Sequence, residues 1–88
     1  MFRAIGDRER LRLLTILSEG ERCVSELAGT VEASLSAVSQ RLRVLRAVGL
    51  LERRREGKHV YYSLADEHVA VLIANALAHA SEDQGRSA

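Results

Sequence analysis

The stretch Ala65 to Asp83, ADEHVAVLIANALAHASED, limits the fold more than any other part of the chain. Helical periodicity places apolar residues on almost every side of it: Val69, Val71, Leu72, Ile73, Ala74, Ala76, Leu77, Ala78 and Ala80. A helix that is apolar all round has to be covered all round. The chain has 88 residues, enough for one small domain whose core can take one side of the helix. Too little protein remains for the opposite side. A second copy of the same helix, in a two-fold homodimer, is the economical cover.

The polar residues of this stretch are placed in a pattern. His68 and His79 stand eleven residues apart, which brings them within about 20° of one face. Glu82 follows His79 by three residues on the same stripe, and Asp66 precedes His68 by two at the expected helix start. Eleven residues rise about 16 Å. Two ligands of one zinc ion, each about 2 Å from it, cannot be that far apart. Two such helices packed antiparallel remove the difficulty. Asp66 and His68 of one chain then face His79 and Glu82 of the other, and the symmetry makes a second, identical site. Each ion receives two histidines and two carboxylates, a tetrahedral set suited to zinc or cobalt. Taken singly, the same residues read as an N-capping aspartate, two surface or interface histidines and a solvated glutamate. Their joint placement is what raises the metal reading beside these.

Hydrophobic residues make up 47% of the chain, which excludes a disordered polypeptide. No apolar run reaches the roughly 18 residues of a membrane span. Arg3, Asp7, Arg8, Glu9 and Arg10 interrupt the N-terminus where a signal peptide would be apolar. A single cysteine, Cys23, permits no internal disulfide, so a reducing cytoplasm is the expected location. The chain contains no proline, which suits a helix-rich fold.

The net charge of +1 is unevenly spread. Between Arg41 and Lys58 stand seven bases (Arg41, Arg43, Arg46, Arg53, Arg54, Arg55 and Lys58) against Glu52 and Glu56 alone. The rest of the chain is net acidic. A basic middle on an acidic frame is the footprint of a nucleic-acid surface, although a solvated charge run has the same composition.

Taken in order, Phe2–Ile5 reads as a short helical lead-in. Asp7–Ser18 carries Leu11, Leu14 and Leu17 at helical spacing and stops at Glu19-Gly20. Cys23–Val31 is a second helix, started by Ser25 or by Cys23, and Glu32-Ala33 is a brief turn. Ser34–Val48 is a third, with Ser34 as N-cap, Leu35, Val38, Leu42 and Leu45 turned inward, and Gly49 ending it. Its other side presents Ser36, Ala37, Ser39, Gln40 and Arg43, with Arg41 beside them. Small residues allow close approach, glutamine can pair with adenine, and arginine with guanine or phosphate, as a helix in a major groove requires. Two short helices joined by a tight turn, the second polar outside, form a helix-turn-helix.

Leu50–Arg55 and His59–Leu64 then alternate as strands around Glu56-Gly57-Lys58. The basic flanks of this hairpin, Arg53, Arg54, Arg55 and Lys58, are suited to a phosphate backbone or a minor groove. The expected architecture is therefore mainly α with a β-hairpin: one winged helix-turn-helix domain over residues 1–88. Its reading helix is 34–48, its wing 51–64, and its dimer and metal helix 66–82, with Gln84–Ala88 as a frayed tail. No glycine-rich phosphate loop and no Ser/His/Asp or Cys/His constellation stands out. The four-ligand metal set leaves no open position, so it is regulatory or structural and an enzyme is not expected.

The segments FRAIGDRERLRLLTILSEGERCVSELA, SLSAVSQRLRVLRAVGLLERRREGKHVYYSL and DEHVAVLIANALAH together resemble the ArsR/SmtB family of metal-responsive bacterial repressors, over Phe2 to Glu82. Among its members the chain is most similar to the zinc sensors whose site lies on the last helix, written Asp-x-His then His-x-x-Glu or His-x-x-His. The resemblance implies Asp66, His68, His79 and Glu82 as ligands shared between protomers. The helix face and the hairpin flanks give Ser36, Ala37, Ser39, Gln40, Arg41, Arg43, Arg54, Arg55 and Lys58 as the expected DNA surface, and the resemblance implies a homodimer that binds an inverted-repeat operator without metal and releases it with zinc. Cobalt is a close variant; nickel generally takes more ligands than these four. The arsenic and cadmium/lead sensors of the family carry Cys-x-Cys where this chain has Cys23 and Ser25. A second zinc site of some relatives is matched here only by Cys23 and Glu26, so Cys23 is expected to be a small buried residue. Gln40-Arg41 stands where many relatives have His-Gln. Two other classes remain: a redox-responsive repressor acting through Cys23, and a winged-helix interaction module that binds no DNA.

Overall fold

A computed structural model describes residues 8–87, with side chains described for 8–79. The lead-in at Phe2–Ile5 and the capping role of Asp7 lie outside the described residues. Among the described residues four helices and three strands follow one another: α1 (Arg8–Leu17), β1 (Arg22–Cys23), α2 (Val24–Val31), α3 (Leu35–Ala47), β2 (Leu51–Glu56), β3 (His59–Leu64) and α4 (Glu67–Ser87). The strands form one antiparallel sheet in the order β1-β3-β2. This is the winged helix-turn-helix expected from the sequence.

The core is built from one stripe of each helix. Leu13, Leu14 and Leu17 come from α1, Leu27, Ala28 and Val31 from α2, and Val38, Leu42 and Leu45 from α3. Leu50, Leu51 and Tyr62 close it from the hairpin, and Val69 and Ile73 from α4. Among the described residues no polar or charged residue is buried, so the core is held by apolar burial alone.

The ends of the helices are set by local chemistry. Cys23 is the N-cap of α2, the second of its two expected starts; its amide donates to Glu26 Oε1 at 3.1 Å, satisfying a group the helix leaves orphaned. Ser34 Oγ accepts from the amide of Ala37 at 3.1 Å and opens α3. Between the two helices, Glu32 takes a left-handed conformation (φ 55°), and the amide of Ala33 reaches back to the carbonyl of Ala28 at 3.1 Å. That turn is what sets α3 across α2. At the far end of α3, Gly49 has φ 85°. Its amide donates to Arg46 O and the next, of Leu50, to Leu45 O, both at 3.0 Å, which is the Schellman arrangement that favours glycine.

The wing spans 51–64 as expected, but its turn is tighter than Glu56-Gly57-Lys58. Glu56 pairs with His59, leaving a two-residue loop in which Gly57 alone has positive φ, 61°. Glycine at the first loop position lets the hairpin twist match its strands. A two-residue strand absent from the sequence reading, β1, pairs Arg22 with Tyr62 and Cys23 with Tyr61. Beyond the wing, the amide of Ala65 donates to Leu50 O at 3.0 Å, so the chain returns to the end of α3 just before α4 begins. The expected end of that last helix at Asp83 is a further correction: it runs to Ser87, and Gln84–Ser87 continue it. Without proline the stretch carries no breaker, and Gly85 costs a helix only about 1 kcal/mol.

Two outcomes follow from the caps. Ser34→Ala should lower stability by about 1 kcal/mol, read as a lower urea midpoint at unchanged slope. The hydrogen bond from the Cys23 amide holds the Glu26 carboxyl below its ordinary pKa of 4.5. A lowered folded-state value contributes stability above the ordinary pKa and loses it as pH falls through the folded one. Urea titrations between about pH 6 and pH 3 should therefore show a shallower decline for Glu26→Gln than for the unsubstituted chain.

Candidate nucleic-acid and metal-binding surfaces

Helix α3 buries Val38, Leu42 and Leu45 and turns its other side to solvent. Two shallow grooves run along that side. Leu35, Ser36, Ser39, Gln40 and Arg43 line one; Arg10, Ala37, Gln40, Arg41 and Val44 line the other. Gln40 is common to both. The six residues expected on the reading surface thus line these two grooves, with Ser36, Gln40 and Arg43 exposed and Ala37, Ser39 and Arg41 half-buried.

Leu35 departs from the sequence reading, which turned it inward with Val38, Leu42 and Leu45. It is 56% exposed. Its angular position is right, but as the first residue after the N-cap it lies beyond the end of the core, so its side chain joins the rim of the reading groove. The signal was available: a residue immediately after a capping serine has no preceding turn beneath it.

In β2, Glu52–Glu56 are all exposed and only Leu51 is buried. Alternation along β2 puts Arg53 and Arg55 on one face and Arg54 on the other. Arg55 and Lys58, expected on the DNA surface, are exposed at the hairpin end. Arg54 is differently engaged. Its guanidinium donates to both carboxylate oxygens of Glu21, at 2.7 and 3.1 Å, and to Glu56 Oε2 at 2.6 Å. It also stacks on the ring of Tyr61, 4.8 Å from the centroid. The hydrogen bonds from Arg54 hold the Glu21 carboxyl below the usual carboxylate range, and those carboxylates push the Arg54 pKa up. Neither β1 nor Glu21 as a partner was legible from residue spacing.

Helix α4 is two-sided. Val69 and Ile73 are buried, and Leu72, Ala76 and Leu77 are half-buried against the core. The opposite stripe carries His68, Val71, Asn75, Ala78 and His79, all exposed, with Val71 at 55%. Asp66 Oδ1 accepts the amide of Val69 at 3.0 Å, so the capping role is real. The same oxygen lies 3.8 Å from His68 Nδ1, which also puts the first two expected ligands side by side. His79 lies three turns on, on the same stripe. Glu82 follows it within the helix, with its side chain outside the described residues. Among the described residues no three potential ligands converge. The donor set, imidazole nitrogens and carboxylates on an open face, fits a divalent cation completed from elsewhere. Cys23 is buried at the N-terminus of α2 with its sulfur 3.5 Å from Ser25 Oγ, apart from this stripe.

Comparisons with known proteins agree with this architecture. Residues 7–53 match the family described as "Bacterial regulatory protein, arsR family". The chain is 43% identical over 83 residues to a cadmium resistance transcriptional regulatory protein CadC homolog of Staphylococcus aureus, covering 93% of this chain and 69% of that protein. It is 47% identical over 81 residues to a transcriptional repressor SmtB homolog of Synechocystis, covering 92% and 61%. The chain thus spans roughly two thirds of the length of these relatives. Among solved structures, the homodimeric winged helix-turn-helix DNA-binding domain of Mb0332 from Mycobacterium bovis is 39% identical, with a TM-score of 0.86 over 91% of this chain and 74% of that one. None of the described helices is long and apolar enough to cross a membrane. With the reading helix, the wing and the pairing of strands all in place, the chain belongs to the arsR family of bacterial regulatory proteins, a family of DNA-binding regulators and not of enzymes.

Proposed function

We propose that this chain is a cytoplasmic, zinc-responsive transcriptional repressor that works as a homodimer. The observation that carries the reading is the outward stripe of α4, where exposed Val71 and Ala78 lie between histidines three turns apart. The apolar part of that stripe gives a second copy something to bury. The polar ends give the paired copies two identical sets of donors: Asp66 and His68 of one protomer with His79 and Glu82 of the other. Zinc supplies a link across the pair. The nitrogen and oxygen donors favour it over the softer metals that thiolates select, and the single buried cysteine lies apart from the site.

On DNA, the paired copies of α3 present Gln40 and Arg43 to base edges, Ser36 and Ser39 to phosphates or bases, and Leu35 as an apolar lip beside them. Two-fold symmetry calls for an inverted-repeat operator with half-sites about one helical turn apart. Metal releases the operator only if it binds the low-affinity conformation more tightly, a coupling of typically about 1–3 kcal/mol. The names of the Staphylococcus and Synechocystis relatives, one a cadmium resistance regulator and one a repressor, support both halves of the reading.

A mobility shift on the chain's own promoter DNA, with and without zinc, tests it. The metal-free protein should bind, zinc should release it, and His68→Ala should bind DNA but ignore zinc. Release by oxidant but not by zinc would favour a redox reading through Cys23, and no shift even at low salt would favour a protein-interaction module. With cobalt as the probe, one ion per chain should give tetrahedral absorption without a thiolate band. Arg43→Ala should weaken DNA binding by about 1–3 kcal/mol while leaving zinc affinity unchanged.

A further inference from the structure

The sheet that carries the wing is three strands wide for only two rows. The short strand β1 pairs with β3 at Tyr62 and Tyr61 and stops there. Beyond that row, Arg55–Val60 and Glu56–His59 make a bare two-stranded ribbon ending in Gly57-Lys58. Such a ribbon has little stability of its own in water. Its outer strand contributes only Leu51 to the core. Burial therefore does not say why this hairpin should hold one direction.

Arg54 stands opposite Tyr61 on one side, and Cys23 stands opposite Tyr61 on the other, so the three make the last complete row. From β2 the Arg54 side chain crosses the ring of the middle strand, 4.8 Å from its centroid, and meets Glu21, which immediately precedes β1. The two-pronged contact with Glu21 and the third bond to Glu56 use the planar fork of the guanidinium in a way an ammonium cannot match. The result is a strap across the full width of the sheet at the row where its width ends. One end is the wing; the other is the segment that leads directly into α2, the first helix of the helix-turn-helix.

We propose that Arg54 is a positioning residue, not a phosphate contact: strapped to Glu21 over Tyr61, it holds the wing at a fixed angle to the reading helix, so that Arg53, Arg55 and Lys58 meet the DNA backbone in register. The proposal deepens the repressor reading and rests on it for its DNA consequence. The strap itself can be judged without DNA.

The test uses the full chain and a duplex enriched with the unsubstituted protein from a random-core DNA library. Arg54→Ala and Glu21→Gln should each weaken binding about threefold to tenfold, as expected for a broken pairwise contact, and leave the salt dependence of binding unchanged. Lys58→Ala, the phosphate control, should lower that salt slope by about 1. The charge-reversed pair Glu21→Arg/Arg54→Glu should recover most of the affinity lost in either single reversal. In the absence of DNA, amide hydrogen exchange at residues 53–60 should speed up in Arg54→Ala and Glu21→Gln alike, with the amides of α2 and α3 unchanged.

A salt slope reduced by about 1 in Arg54→Ala, or a charge-reversed pair weaker than either single reversal, would make Arg54 a phosphate contact and overturn the proposal. So would wing amides that exchange at the original rate in both single variants. If the unsubstituted chain enriches no duplex, the repressor reading fails, and the exchange rates still decide whether the strap exists.

Discussion

Burial on one side only is the condition that governs α4, and the proposed dimer depends on it. The described residues bury Val69 and Ile73 and leave Val71 55% exposed. The twenty-one residues of the helix rise about 31 Å. On the proposed reading, its exposed stripe is where a second copy docks. On the same reading, His68 and His79 on that exposed stripe tie metal binding to the pairing of protomers.

The remainder of the domain is an economical frame for α3 and the wing, the two elements proposed to meet DNA. Its core contains no buried polar residue among those described, and its specificity of fold comes from the helix ends. Ser34 starts the reading helix, Gly49 stops it, and the left-handed Glu32 sets its angle to α2. Each of these positions has a local hydrogen-bond reason, so the reading face is oriented by backbone geometry before any DNA arrives.

Much of this was legible in the sequence because it depends on period and on local chemistry. The stripe Val38, Leu42 and Leu45, the serine cap at Ser34, the glycine stop at Gly49 and the wing span follow from neighbours a few residues away. What escaped depends on where an element ends or on what lies across the fold. Leu35 has the right period for the core and the wrong depth, because it is the first residue of its helix. Strand β1 is two residues long, below any length at which alternation can be read, and exists because Tyr61 and Tyr62 present a free edge to it. The Arg54–Glu21 contact joins residues 33 positions apart, beyond the reach of any local pattern. Gln84–Ser87 read as a frayed tail from their polarity, yet α4 runs through them to Ser87.

The hydrogen bond from the Ala65 amide to the Leu50 carbonyl has a consequence for how the parts can move. Leu50 lies one residue past the glycine that ends the reading helix, and Ala65 one residue before the aspartate that caps α4. The wing leaves from one of these residues and returns to the other, so its base is pinned shut at a single point that both helices share. No length of slack chain separates the start of α4 from the end of α3. A tilt at the first turn of α4, where Asp66 and His68 stand, has this joint as its nearest mechanical neighbour, and a hinge located there would swing wing and reading helix as one piece.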